Sequence, residues 1–437
     1  MPVIIDGTNG ITQAGEFNSD SSFGFKNRII NGAMVIDQRN AGASVASNNN
    51  TIFPVDRFSY FTNGSATGTM QQSSTVPTGF STSMLYTITS GSASGSTTRA
   101  QLIQKIEGYN FADLGWGTAT AKTITLSFWV RSSLTGTFGG SLQNNAQDRS
   151  YPYTYTISTA NTWEYKTVTV AGDTSGTWNS TNDSGVLVYW DMGCGSSIQS
   201  TAGAWTAGDF RGATGTTSVV ATTGATWAFT GVQLEVGSTA TSFDYRPYTT
   251  ELQLCQRYFQ TYGYGANGTT GDSCIGSGMF YTASELLMTA QFLVIMRAVP
   301  TYSCATVTNG FRYHRAGAAT NFDTVAYFGS TSTSAAIIGS LSVPVSGTAG
   351  YATQVYAQAS GAKINFSAEL YMYKLNRNIF GGQPNGVIRL ADTATIPFDP
   401  ANTDYANFKK EVLAGAELQD AEGNVMTDAS AYIASLP

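Results

Sequence analysis

Few residues in this chain have the type and spacing that chemistry needs. GYGANG at 263–268 matches the G-x-G-x-x-G pattern of dinucleotide sites. Such a site needs a strand before the glycines and a helix after them, so that the helix amides meet the pyrophosphate. Here the segment follows a helical pattern and runs into TTGDSC, so it reads as a loop or hinge. His314, the single histidine, lies in FRYHRAG between arginines that oppose its protonation, and no G-x-S-x-G elbow is present. This argues against a Ser-His-Asp relay, and a lone histidine excludes a His-rich metal centre. Glycoside cleavage needs only two acids facing each other across a groove. Asp148, Asp173, Asp183, Asp191, Asp209 and Asp272 are the candidates, although contexts such as NDSG suit a plain turn-forming Asp. Oxygen-ligated Ca²⁺ near Asp183 has no loop motif behind it. No cofactor is expected, and no metal ligand is assigned.

Aromatic side chains are the stronger lead. Sugar rings present apolar C–H faces that stack on Trp or Tyr, while amides and carboxylates bond the hydroxyls, and such a site needs no catalytic apparatus. Trp163, Trp178, Trp205 and Tyr153 lie in or beside polar, loop-like sequence and are the candidate glycan-binding residues. The competing reading places the same rings in the core or in subunit contacts. Trp129, Trp190 and Trp227 sit within strand patterns and are expected in the core or between sheets.

The elements that would position these rings are read from composition and periodicity. At 437 residues the chain is long enough for two to four domains. Charged residues are 11 % of it, against about 25 % in ordinary domains, and Gly, Ser, Thr and Asn fill the difference. Thr and aromatics suit a pleated surface, which favours β structure. A net charge of −6 with no basic run disfavours nucleic acid. The longest apolar run, LLMTAQFLVIM at 286–296, is too short and too interrupted for a membrane span and reads as a buried strand or strand pair. The start, MPVIIDGTNGITQAG, lacks the basic and hydrophobic regions of an export signal, which points to synthesis in a cytoplasm. Cys194, Cys255, Cys274 and Cys304 are too scattered for a disulfide framework and are expected to be small buried residues.

Along the chain, 1–33 reads as a strand, a tight turn at DGTNG and a return, too short to fold without a neighbour. Short alternating segments such as TITLSFWV, YKTVTV, GVLVYWDM and TWAFTGVQLEV fill 34–247 and suggest a two-sheet jelly roll. At 248–262 the apolar period changes to three and four, predicting an amphipathic linking helix capped by Thr249 or Thr250. A second, smaller β-sandwich is expected over 263–375. A C-terminal appendage over 376–437 carries a helix with Tyr405, Phe408, Val412 and Leu413 on one face, capped by Asn402 or Thr403 and ended by Gly415. The fold class is therefore mainly β and multidomain, with jelly-roll or sandwich modules and short linking and C-terminal helices.

Several phrases are more specific: NRIINGAMVIDQRNAG with DRF at 56–58, then GVQLEVGSTATSFDYRPY, LCQRYFQ, INFSAEL and IRLADTATIPFDPANTDY. In this order they resemble phrases of bacteriophage tail-fibre and tail-tip proteins. The block from Asn27 to Arg39 with Asp56, Arg57 and Phe58 resembles the opening of a carbohydrate-binding-like jelly roll in that family. The block Gln233–Pro247 with Cys255, Gln256, Arg257 and Tyr258 resembles its close. The resemblance implies a homotrimeric virion component, bound to other tail or baseplate proteins and displaying a surface that recognises host polysaccharide without inserting in a membrane. It implies no enzymatic activity; the alternative is a tailspike-type polysaccharide depolymerase. Unlike many such fibres, this chain has no long collagen-like or coiled-coil shaft, and no repeat of 20 to 30 residues marks a β-helix.

Overall fold

The computed structural model describes residues 4–6, 10–13, 25–47, 51–263, 273–315, 318–329, 335–339 and 348–370. In the C-terminal segment it describes 373–376, 384–389, 394–402, 405, 408–409, 412, 418–420, 426 and 429–436. The chain divides into two compact units. The first comprises Met1–Val35, Gly64–Gly68 and Ser73–Arg246, and the second Ile36–Asn63, Thr69–Gln72 and Pro247–Pro437. The architecture is mainly β, built of antiparallel sandwich modules.

Eight strands frame the first unit: β1 (Ser83–Ser90), β2 (Ala100–Glu107), β3 (Ile124–Ser132), β4 (Gly136–Gln143), β5 (Arg149–Ile157), β6 (Glu164–Val170), β7 (Ser184–Asp191) and β8 (Thr226–Val236). One sheet runs β6–β3–β8–β1 and the other β2–β7–β4–β5, with every pairing antiparallel. Period-two alternation dictates what lies between them. Ile124, Leu126, Phe128 and Val130 point inward from β3, where Phe128 meets Trp190 of β7 edge to face, and Trp190 in turn meets Phe229 of β8. Trp190 and Trp227 are fully buried. Trp129 differs from the expectation: it alternates to the outer face of its sheet and is half-buried. All eight residues of β7 are buried: Gly108, Phe111 and Asn179 pack on Gly185 at its start, and part of the 192–220 segment packs on its end. There Arg211 lies over the Tyr189 ring, and Thr216 donates to Asp191.

The two ends of this unit are stitched together. Asn27 Oδ1 accepts the amides of Ile29 and Leu234, and its Nδ2 donates to Val232 O. Arg28 N donates to Leu234 O, Val232 N donates to Gly32 O, and Arg246 donates to the carbonyls of Asn27 and Ile29. Gly32 is required here, since a Cβ would stand 2.1 Å from Val232 O. Farther upstream, Ile4–Asp6 pairs with Gly10–Gln13, bringing Asp6 opposite Gly10 as the DGTNG turn predicts.

In the second unit a hairpin joins Thr51–Val55 to Phe58–Thr62. The helix Tyr248–Gln256 begins directly after Pro247, with no side-chain cap from either threonine, and it ends six residues before the predicted limit. The apolar period misleads at this point. Tyr258 and Phe259 are buried because the chain turns at Arg257 and enters the strand Phe259–Gly263, which pairs with Lys363–Ser367. That strand leads into the Gly-rich segment, whose residues 264–272 lie outside the described residues; the next described element is another strand, Ser273–Phe280. The core contains Phe280, Leu286, Met288, Phe311, Tyr313, Val355, Ile364 and Phe366. The run at 286–296 is only partly buried. Leu286–Gln291 is a strand with one face in the core, while Leu293 and Ile295 beyond it are 61 % and 66 % exposed. A separate C-terminal core gathers Tyr373, Val387, Ile396, Tyr405, Phe408 and Val412, with Leu413 and Gly415 outside the described residues. All four cysteines are free; Cys194 and Cys255 are buried, but Cys274 is exposed and Cys304 half-buried.

Candidate functional site

Two of the four candidate rings come together in the first unit, on a third that the sequence did not single out. Trp116 lies between β2 and β3, Trp178 between β6 and β7, and Trp205 in the 192–220 segment. Their ring centroids are 4.7 Å (Trp116–Trp178), 5.1 Å (Trp116–Trp205) and 5.4 Å (Trp178–Trp205) apart, each pair edge to face. Phe111 and Tyr151 extend the cluster, at 4.8 Å from Trp116 and 5.2 Å from Trp205. Such T-shaped packing matches ring edges to π faces. Each indole N–H donates to a backbone carbonyl: Trp116 to Lys122, Trp178 to Ser175 and Trp205 to Ala171. Trp116 is buried and forms the floor, whereas Trp178 and Trp205 are half-buried and flanked in sequence by exposed Thr174, Ser175, Thr177 and Thr201. Part of each upper ring is therefore a fixed apolar surface among hydroxyls.

The loops that carry these rings are fastened at their base. Arg149 donates to both oxygens of Asp173 at 2.8 Å, a bidentate pair that holds the start of the Trp178 loop. That hydrogen bond raises the Arg149 pKa. Gly117 N donates to Asp173 O, and Gly117 adopts φ 84°, where a Cβ would meet Gly176 O at 2.7 Å.

The other two candidates lie elsewhere. Tyr153 is 2 % exposed and donates its hydroxyl to Tyr189 O at 2.7 Å, so it offers no face to a sugar. Its register partner in β4 is Gly140, and the missing side chain there makes room for the phenol. Burial pushes its pKa well up. Trp163 is half-buried just before β6, and no described ring contact joins it to the trio.

The candidate carboxylates are engaged in holding loops. Asp148 accepts from Asn144, and Asp183 from Asn145 and Ser184 N. Asp191 is 1 % exposed and accepts the amides of Gly193 and Cys194; burial raises its pKa against those hydrogen bonds. Asp209 pairs with Arg211 at 2.8 Å and Arg99 at 3.5 Å; burial raises its pKa, and the two arginines outweigh that effect and lower it. Asp272 lies outside the described residues. Among the described residues, no three His, Cys, Asp or Glu side chains are grouped to hold a metal. His314 is exposed, with its ring 5.0 Å from that of Tyr356.

The phrases that carry the sequence resemblance build framework instead. In the second unit Glu369 of FSAEL receives Arg57 of DRF and, at 3.1 Å, Arg39 of DQRNAG. Arg39 also pairs with Asp56 at 3.3 Å and lies over the Phe259 ring, while Arg57 lies over Tyr258. Gln38 donates to both Asp56 and Phe259 O. Burial lifts the Asp56 carboxyl to about 6, against the attraction of Arg39.

No protein-family model and no curated protein sequence matches the chain. Among solved structures it is similar to the enzymatically active domain of tailspike protein 4 of bacteriophage CBA120, at 13 % identity and a TM-score of 0.25, over 48 % of this chain and 21 % of that one. It is also similar to a CBM4 module, at 16 % identity and a TM-score of 0.24, over 47 % of this chain and 98 % of that one. A third similarity is to the family 11 carbohydrate-binding module of the cellulosomal cellulase Lic26A-Cel5E of Clostridium thermocellum, at 9 % identity and a TM-score of 0.24, over 45 % and 98 % of the two chains.

Proposed function

We propose that the chain is a structural, non-enzymatic component of a tailed-bacteriophage tail fibre, and that its first unit binds host-surface glycan through the exposed parts of Trp178 and Trp205. The observation that carries this reading is the fixed indole trio, in which two partly exposed rings on separate loops are held by backbone-bound N–H groups over a buried third. Rings already held by hydrogen bonds and ring contacts lose less freedom at the moment of contact, which suits them to stacking on a sugar. The phage assignment is supported by the phrases from NRIING to DPANTDY, and with it come assembly as a homotrimer, attachment to other tail or baseplate proteins and residence in the virion. The described candidate carboxylates are bound to loop amides, amide side chains or arginines, which weighs against the depolymerase alternative.

The test is saturable binding of the purified full chain to intact host cells, before and after removal of surface polysaccharide. Binding that vanishes with the polysaccharide is expected, and Trp178→Ala with Trp205→Ala should weaken it about tenfold or more. Undiminished binding to stripped cells would refute glycan recognition, and release of reducing ends during binding would reinstate the depolymerase.

A further inference from the structure

A second row of aromatic rings crosses the outer face of the β6–β3–β8–β1 sheet. Tyr165 of β6 stands opposite Trp129 of β3 in register, with ring centroids 5.4 Å apart. Beyond Trp129 comes Phe80, then Tyr245 at 5.5 Å from it, with Phe243 packed edge-on against both. Gly231 joins the two halves. It sits in an irregularity of the β8–β3 pairing at φ 62°, and a Cβ on it would meet Phe80 Cζ at 2.6 Å and Trp129 Cδ1 at 3.1 Å. A side chain there would push these rings out of place. Tyr165 is 42 % and Tyr245 60 % exposed.

The chemistry beside the row selects its occupant. Thr167 and Thr169 lie on the same face of β6 as Tyr165 and are exposed; Thr167 offers its hydroxyl beside the rings, while the Thr169 hydroxyl donates to Ser238 O. The carboxylate that β8 places on this face, Glu235, is 3 % exposed and receives Thr241 and Gln233. Arg131 of β3 donates its Nε to Asn161 O. Asp244, between Phe243 and Tyr245, is paired with Arg246 at 3.7 Å. What remains open is a band of partly exposed rings edged by a hydroxyl, in which each described carboxylate beside the rings is already bonded. That pattern matches the alternating C–H faces and hydroxyls of a chain of neutral sugars better than the broad, dry apolar core of a protein interface.

We propose that Tyr165, Trp129, Phe80 and Tyr245 form a second carbohydrate-stacking surface, for a linear neutral oligosaccharide, on the face of the sheet and separate from the indole trio. It rests on the glycan-binding reading of this unit but not on the trio itself. The test is affinity electrophoresis of the full chain through gels containing hydroxyethylcellulose, galactomannan or α-mannan as neutral probes and polygalacturonate as an anionic one, with the assembly mass measured in parallel. A Trp178→Ala/Trp205→Ala variant should still be retarded by a neutral probe, and adding Tyr165→Ala and Tyr245→Ala should weaken that retention about tenfold or more. If the combined variant misfolds, Tyr165→Ala alone in the same background should weaken retention several-fold. Absence of retardation of the trio variant by every neutral probe, retention by polygalacturonate alone, or no effect of the tyrosine substitutions would overturn the proposal. A changed assembly mass with unchanged retention would overturn it too, by assigning the face to a second copy of the chain. Retention that the trio substitutions leave intact and the tyrosine substitutions abolish would uphold this site, while the trio stands or falls by the cell-binding experiment.

Discussion

Tyr153 and Gly140 show how one register pair settles a residue's role. A Cβ at Gly140 would stand 2.0 Å from Tyr189 O and 2.5 Å from the Tyr153 hydroxyl. Gly140→Ala should therefore cost about 2–3 kcal/mol, the upper range of core overpacking, read as a lower melting temperature. Tyr153→Phe should cost about 1 kcal/mol, the worth of one buried hydrogen bond, and leave cell binding unchanged; lost binding would return Tyr153 to the site. Asp56 makes a pH prediction. Its native carboxyl titrates near 6 and not at 3.8, so its contribution to stability is fully present below pH 3.8 and lost as pH rises through about 6. Asp56→Asn should flatten the melting-temperature profile over that interval, and an identical profile in the variant would reassign the slope to other groups. The loop positions of Trp178 and Trp205 were legible because polar sequence surrounds them. The burial of Tyr153 was not, because it depends on a glycine in the neighbouring strand, and neither was Trp116, whose partners arrive from loops distant in sequence.

Among elements, strands rich in β-branched and aromatic residues were read nearly to their ends: TWAFTGVQLEV is β8, and TITLSFWV falls within one residue of the start of β3. Reading failed where one periodicity passed into another. LCQRYFQTY has apolar residues at helical intervals across a boundary, and only pairing with Lys363–Ser367 shows that its second half is a strand. That strand and its partner lead to the ion pairs around Glu369, whose side chain is 3 % exposed. Glu369→Ala leaves two guanidinium groups without this carboxylate in a buried setting and should cost about 3–5 kcal/mol. The loss should appear in the melting of the second unit, with the near-ultraviolet signal of the tryptophan-rich first unit retained. Simultaneous collapse of both signals would mean that the units do not melt independently.

For the whole molecule, the proposed homotrimer predicts a solution mass three times the 46.2 kDa of one chain. A stable monomer at micromolar concentration would remove that claim. Multiplicity would matter for adhesion, because linked weak sites bind a repetitive surface far more tightly than any one of them. In the proposed role the chain would also be pulled, and the stitched ends of the first unit govern what a pull does. Residues 27–32 lie hydrogen-bonded along 232–234, with Arg246 closing the seam, so tension between the two ends falls on the seam before it reaches the sheets. Asn27→Ala removes the side chain that bonds both edges, and in single-molecule pulling it should lower the force of the first rupture. Until the seam gives way, the two ends act as a single anchor point, and the proposed glycan-binding faces keep their shape under load.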